Sequence, residues 1–220
     1  LAEDFEMSKS RLLDKGLNEL SAILNEMAVL AEKTVSASIE AYIENADVSV
    51  QVRQWSDTLL NYYNRVGEKA VEIIARFQPV ATDLRIIRAS MEISYDLSRF
   101  GRYAYDISTI LKNLGGHVEF GRNAVAEMGN MTMKMIELSI EAFKTRNAEL
   151  ARKVGEDDKE VDKLYFEHLQ DCVRNPPKKT EELISDVLTV RHLERIADHA
   201  VDLASAVLYM LRGEQGTAWR

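Results

Sequence analysis

The pentapeptide SIEAY at 38–42 returns as SIEAF at 139–143, and the same shift of 101 carries Asp57-Thr58-Leu59-Leu60-Asn61 onto Asp158-Lys159-Glu160-Val161-Asp162. Further on, LSRFGRYAYDIS at 97–108 aligns without gaps with LERIADHAVDLA at 193–204, now at a shift of 96, so about five residues are missing from the second copy near Pro176-Pro177. Amphipathic helices resemble one another by chance, but chance does not hold one shift across two of them. The chain therefore reads as a duplication. Each copy is a three-helix unit, the first over 1–114 and the second over 117–213, with 214–220 as a C-terminal tail. Two such bundles joined at Gly115-Gly116 either share a core or lie side by side.

The spacing of apolar residues supports helices throughout. Leu13, Leu17, Leu20, Leu24, Met27, Ala31 and Val35 step by three and four and make one stripe. Six long helices are expected at 6–46, 49–77, 82–114, 118–147, 149–174 and 179–212. Pro79 breaks the second from the third, where Thr82 or Asp83 can cap; Asn175-Pro176-Pro177 ends the fifth, and Thr180 can cap the sixth. No stretch alternates apolar and polar residues long enough for a sheet, so the fold class is all-α: two tandem three-helix bundles.

Composition removes several function classes. No apolar run approaches the ~18 residues of a membrane span, so no direct insertion is expected. The opening LAEDFEMSKS lacks a signal-peptide pattern, and Cys172 is the single cysteine, so no intrachain disulfide forms. These features point to the cytoplasm. A net charge of −8 argues against nucleic acid as partner. There is no GxxxxGK[ST] loop, so any ATP binding belongs to a partner. No glutamate stands three residues before a histidine, which argues against a di-iron oxidase. No catalytic motif is present, and no enzyme activity is expected.

The acids offer the strongest candidate site. Glu194, Asp198 and Asp202 follow one another at i, i+4 and i+8, and Asp158 and Asp162 form a second such pair on the preceding helix. Carboxylates one turn apart repel and raise one another's pKa unless a cation sits among them. With antiparallel helices, five carboxylates can face one groove, bordered by the small residues Ala197, Ala200 and Ala204. Oxygen-only ligands suit Mg²⁺, Ca²⁺, Mn²⁺ or iron. The competing reading is a solvated acidic face with Arg191 and Arg195 as countercharge.

The segment RFQPVATDLRIIRASMEISYDLSRFGRYAYDIS at 76–108, followed by HLERIADHAVDLA in the second copy, resembles the signature of the PhoU family of phosphate-uptake regulators. The resemblance covers about 5–212. It implies two three-helix bundles and one E(D)xxxD motif per repeat, able to carry surface metal clusters including multinuclear iron. By it, Glu194 and Asp198 are the motif ligands of the second repeat. It also implies a non-enzymatic regulator that restrains phosphate import through the ATP-binding subunit of a phosphate ABC transporter and acts on a membrane sensor kinase. A helical metal-binding or storage protein, or an accessory regulator of another transporter, are the alternatives. The first repeat departs from the pattern: Ser98 and Arg102 stand where the motif has acids, while Asp57, Asn61 and Asp106 remain. Arg102 can occupy the cation's place, pairing with Asp57 or Asp106, so metal is expected at the second repeat only.

The remaining polar residues read as structural. His192 and His199 lie off the acid line and are expected on the surface or in packing, and Cys172 is expected to be packed rather than reactive. Trp55, Tyr62 and Tyr63 are expected at the core or at helix crossings. Arg85 and Arg88 are expected to pair with Asp83 or Glu92. Met131, Met133 and Met135 exceed what one apolar stripe can bury, which points to a homodimer or larger homo-oligomer.

Overall fold

The structure, a computed structural model, describes residues 2–114 and 119–213, with side chains from Arg11 onward except Leu111. The Gly115-Gly116 junction and the 214–220 tail lie outside the described residues. Within them the chain forms six helices and no strand: α1 (Ala2–Glu44), α2 (Ser49–Phe77), α3 (Ala81–Leu114), α4 (Arg122–Thr145), α5 (Ala148–Arg174) and α6 (Thr180–Arg212). The all-α class and the order of elements are those expected.

The helix ends carry the clearest mark of duplication. α1 stops because Asn45 takes a left-handed φ of 57, which folds the Ala46 N–H back onto the Ala41 carbonyl at 2.8 Å. In the second copy Arg146 takes φ 52, and the Asn147 N–H returns to the Ala142 carbonyl at 3.0 Å. Asn45 and Arg146 are related by the same shift of 101. Asn147 then opens α5, its side chain accepting from the Glu149 and Leu150 N–H groups at 2.9 and 3.2 Å. Two expected caps are not used. α3 already starts at Ala81, which leaves Thr82 and Asp83 inside the helix. α6 is preceded by Lys179 with no side-chain cap bond; Thr180 is its first residue, and Glu181 and Glu182 meet the positive end of the dipole instead.

Packing decides between the two arrangements of the repeats. α1, α2 and α3 pack on one another, as do α4, α5 and α6, but α3 also packs extensively on α6, and α1 on α4. Helices α1, α3, α6 and α4 thus enclose one shared core, with α2 and α5 on its outer flanks. Both joining pairs match a helix with its own repeat equivalent. The predicted stripe is the core of α1: Leu20, Leu24, Met27, Ala31 and Val35 are fully buried, and Leu13 and Leu17 pack partly buried against it. Ala197, Ala200 and Ala204 of α6 are buried, as are Leu97, Phe100 and Ala104 of α3. Trp55, Tyr62 and Tyr63 pack partly buried against this core, as expected.

The methionine argument for an oligomer does not survive. Met135 is fully buried, and Met131 and Met133 pack partly buried against the same core. α4 touches α1, α5 and α6, so it buries more than the one stripe assumed from the sequence.

Close approach of α2 and α3 supplies a test of this packing. A Cβ on Gly101 would meet Leu59 Cδ1 at 2.5 Å and the Ser56 backbone Cα at 3.3 Å, whereas one on Gly67 meets nothing within 4 Å. Gly101→Val is expected to destabilise the protein by about 1–3 kcal/mol through overpacking. Gly67→Ala, in the interior of α2, is expected to stabilise it by about 0.5–1 kcal/mol. Urea unfolding of the two variants checks both signs.

Candidate functional site

Four of the five predicted carboxylates meet between α5 and α6. Asp158 and Asp162 of α5 lie within Coulombic reach of Asp198, and Asp158 also within reach of Glu194. Burial, reinforced by the charges of Asp162, Asp198 and Glu194, pushes Asp158 up to about 6. Asp162 is raised by burial and by Asp198, with Arg191 opposing. Glu194 is raised by burial and Asp198, against the pull of Arg191 and Arg195. The arginines take part directly: Arg191 Nη1 donates to Glu194 Oε1 at 2.6 Å, and Arg195 Nη1 lies 3.6 Å from Asp198 Oδ2. Countercharge is therefore present, yet it does not compensate the groove. The second oxygen of Glu194, Oε2, is buried and accepts no hydrogen bond. A buried anionic oxygen without a donor favours either a proton or a cation. Oxygen donors are of the type that hard cations take, but no three of these carboxylates bring oxygens within 4.8 Å of one another among the described residues.

Asp202 belongs mainly to a different neighbourhood. Its charge reaches Asp158 only as the smallest contribution there. Its carboxylate instead groups with Asp96 of α3 and His199 within 4.8 Å. The reason is helical drift. Four residues turn an α-helix by ~400°, so each step along the stripe rotates by about 40°, and two steps carry Asp202 about 80° away from Glu194. His199 and Asp96 were not foreseen as a pair. His199 Nδ1 lies 2.9 Å from Asp96 Oδ1, and Asp96 is buried. Burial pushes Asp96 up to about 6, His199 pulling it down and Asp202 and Glu92 pushing it further up. Asp96 and Asp202 look into a cleft of about 920 Å³ between α2, α3 and α6, also lined by Tyr63, Arg88, Tyr95 and Tyr209. Arg88 pairs with Glu92 at 2.9 Å as expected, while Arg85 donates to Thr82 rather than Asp83.

Among the described residues the first repeat shows no comparable cluster of acids. Arg102 Nη2 lies 2.9 Å from Asp106 Oδ1 on its own helix, and its Nε donates to Asp106 Oδ2 at 3.2 Å. Asp57 lies 4.0 Å from Arg53, and the Ser98 hydroxyl donates to the Tyr95 carbonyl at 2.7 Å. The guanidinium thus pairs with Asp106, the first-repeat counterpart of Asp202.

The groove makes a prediction about pH. Asp158 releases its proton at about 6 when folded and near 3.8 as an ordinary carboxyl. A raised folded pKa means that this group's stability is fully present below about 3.8 and lost as pH rises through about 6. In cation-free buffer, Asp158→Asn should stabilise the chain at pH 7 by about 1 kcal/mol, a shift of two pKa units discounted for partial exposure. The gain should vanish below pH ~4. Urea unfolding at the two pH values is the measurement.

Comparison with known proteins bears on the whole chain. The family model described as "PhoU domain" matches twice, over residues 24–111 and 125–207. A protein of Pseudomonas aeruginosa named "Phosphate-specific transport system accessory protein PhoU homolog" is 31% identical over 210 residues, covering 93% of this chain and 87% of its own. A protein of the same name from Clostridium acetobutylicum is 30% identical, with 93% and 96% covered. The crystal structure of PhoU from Pseudomonas aeruginosa superposes with a TM-score of 0.87 at 31% identity, covering 91% of this chain and 99% of that one. The phosphate transport system regulatory protein PhoU from Streptococcus pneumoniae shares the fold, with a TM-score of 0.71 at 20% identity. Two tandem copies of one domain, matched along nearly the full length in sequence and in backbone, make this chain a member of the PhoU family.

Proposed function

We propose that the chain is a cytoplasmic, non-enzymatic accessory regulator of phosphate uptake. In this reading it restrains import by docking on the ATP-binding subunit of a phosphate ABC transporter and relays the transporter's state to a membrane sensor kinase. The observation that carries the reading is the two-copy kinship along the whole chain with relatives named as phosphate-specific transport system accessory proteins. Two features of the chain are consistent with a docking role. No described helix is long and apolar enough to cross a membrane. The sequence contains no phosphate-cradling glycine loop of its own.

The acidic groove gives this regulator a cation-dependent element. Asp158, Asp162, Glu194 and Asp198 would hold a hard divalent cation or iron, with Asp202 left to its neighbours Asp96 and His199. The cation would supply the positive charge that the groove lacks and tie α5 to α6. Glu194 and Asp198 would anchor it from α6, and Asp158 and Asp162 would face it from α5.

Deletion of the chain in its native cells is expected to raise phosphate uptake under phosphate-replete conditions, and purification from those cells to recover a phosphate-transporter ATPase. Unaltered uptake together with failure to recover that ATPase would sink the regulatory reading. Metal analysis checks the groove separately. The double substitution Glu194→Ala and Asp198→Ala should abolish manganese or iron uptake there, whereas Arg102→Ala should not reduce it. Retention of the metal by the double variant overturns the groove as its site.

A further inference from the structure

Towards the other end of the α5–α6 pair, near the Asn175-Pro176-Pro177 turn, a cluster of different chemistry lies buried. His168 and Cys172 stand one turn apart on α5 and face Asp186 of α6. His168 Nε2 lies 2.5 Å from Asp186 Oδ2, Cys172 Sγ lies 3.4 Å from His168 Nε2, and Cys172 Sγ lies 3.6 Å from Asp186 Oδ2. The side chain of Asp186 is fully buried and that of His168 is 9% exposed. Cys172 is buried as well. The other oxygen of Asp186, Oδ1, has no hydrogen-bond partner. It is pressed against Gly121, whose φ of 73 is left-handed and where a Cβ would collide with the carboxylate.

A catalytic triad does not explain this cluster. In a triad the acid and the nucleophile hold opposite ring nitrogens of the histidine. Here both approach Nε2. Burial, with the charge of Asp186 adding to it, pushes the Cys172 thiol up to about 11, the reverse of what an attacking cysteine needs. A simple buried His–Asp ion pair accounts for Oδ2 and Nε2 but leaves Oδ1 without a donor and gives the thiol no role.

Three ligand types aimed at one point have another use. We propose that His168, Cys172 and Asp186 form a binding site for a single borderline-soft divalent transition metal, of which Zn²⁺ is the best fit. Metal–ligand distances of about 2.0–2.3 Å in tetrahedral geometry require donor–donor edges of about 3.3–3.6 Å. The two edges to sulfur, 3.4 and 3.6 Å, already have that length. Only the edge from Nε2 to Oδ2 must open, as it does when a metal replaces the proton between them. Oδ1, which has no donor of its own, would become a further ligand if the Asp186 carboxylate bound the ion through both oxygens. The nitrogen–sulfur–carboxylate set selects against Mg²⁺ and Ca²⁺, which the all-oxygen groove prefers. The chain would then hold two chemically distinct metal sites on the same helix pair. The inner one would tie the end of α5 to the start of α6, beside Gly121 at the start of α4.

Cobalt titration of the full-length, chelator-stripped protein tests this directly. Cys172 is the only cysteine, so any thiolate-to-cobalt charge-transfer band must come from it. One equivalent of Co²⁺ is expected to produce that near-ultraviolet band together with intense visible bands of tetrahedral cobalt, and Zn²⁺ should erase both. Cys172→Ser should remove the charge-transfer band. His168→Gln and Asp186→Asn should each weaken cobalt binding at least tenfold. The Glu194→Ala, Asp198→Ala double variant should keep the band, which separates this site from the groove. Far-ultraviolet circular dichroism confirms that each variant is folded, with Cys172→Ala as substitute should Cys172→Ser fail. Absence of a thiolate band in the folded wild-type chain overturns the proposal, as does a band unchanged by His168→Gln and Asp186→Asn.

Discussion

The contact between α3 and α6 holds the molecule together. Each is the third helix of its repeat, and each places its buried face against the other. Ala197, Ala200 and Ala204 on α6 and Leu97, Phe100 and Ala104 on α3 lose nearly all their exposure to water. Small residues on α6 let helices come close, and burial of apolar surface at roughly 25 cal/mol per Å² makes that approach favourable. With α1 against α4 on the other side, two units that are separate in sequence acquire one core. α6 then has its remaining faces available for polar work. One meets α5 with Glu194 and Asp198, another meets the cleft with Asp202, and its first turns bring Asp186 to His168 and Cys172.

Duplication followed by divergence explains why the polar sites are unequal while the core is not. The shift of 96 relates Asp96 to His192, Ser98 to Glu194, Arg102 to Asp198 and Tyr103 to His199. At the matching apolar positions both copies keep buried residues: Leu97 and Leu193, Phe100 and Ile196, Gly101 and Ala197, Ala104 and Ala200. Core positions are constrained by volume, since added or missing methylenes are costly in a close-packed interior. Groove positions are constrained only by charge balance. Arg102 with Asp106 solves that balance within the chain, whereas the second repeat leaves buried anionic oxygen uncompensated. Holding like charges together costs stability.

Three buried or half-buried carboxylates show three environments in one helical scaffold. Asp158 has other acids as its neighbours and is pushed up by them as well as by burial. Asp96 has one histidine, which offsets part of the burial effect. Asp186 has a histidine and a thiol on one oxygen and no hydrogen-bond partner on the other. The helix period places each acid, but each also meets groups from a different helix: Asp158 and Asp96 from α6, and Asp186 from α5.

The sequence by itself determined the class, the six helices, the duplication and the family resemblance. These depend on period and spacing along one chain, and local sterics and hydrogen bonding impose that period wherever the residues permit it. Asp158, Asp162, Glu194 and Asp198 were legible for the same reason: each pair shares a helix face, and the faces meet because successive helices pack antiparallel. Asp202 was placed too simply, since a stripe of four-residue steps drifts around the helix. The shared core, the pairing of Asp96 with His199, and the meeting of His168 and Cys172 with Asp186 were decided only by tertiary structure. His168 and Cys172 stand one turn apart in plain view, but nothing along the chain says which residue of α6 lies opposite them. That depends on how far the Asn175-Pro176-Pro177 turn displaces one helix past the other and on how the buried faces interlock, which is a property of the packed core.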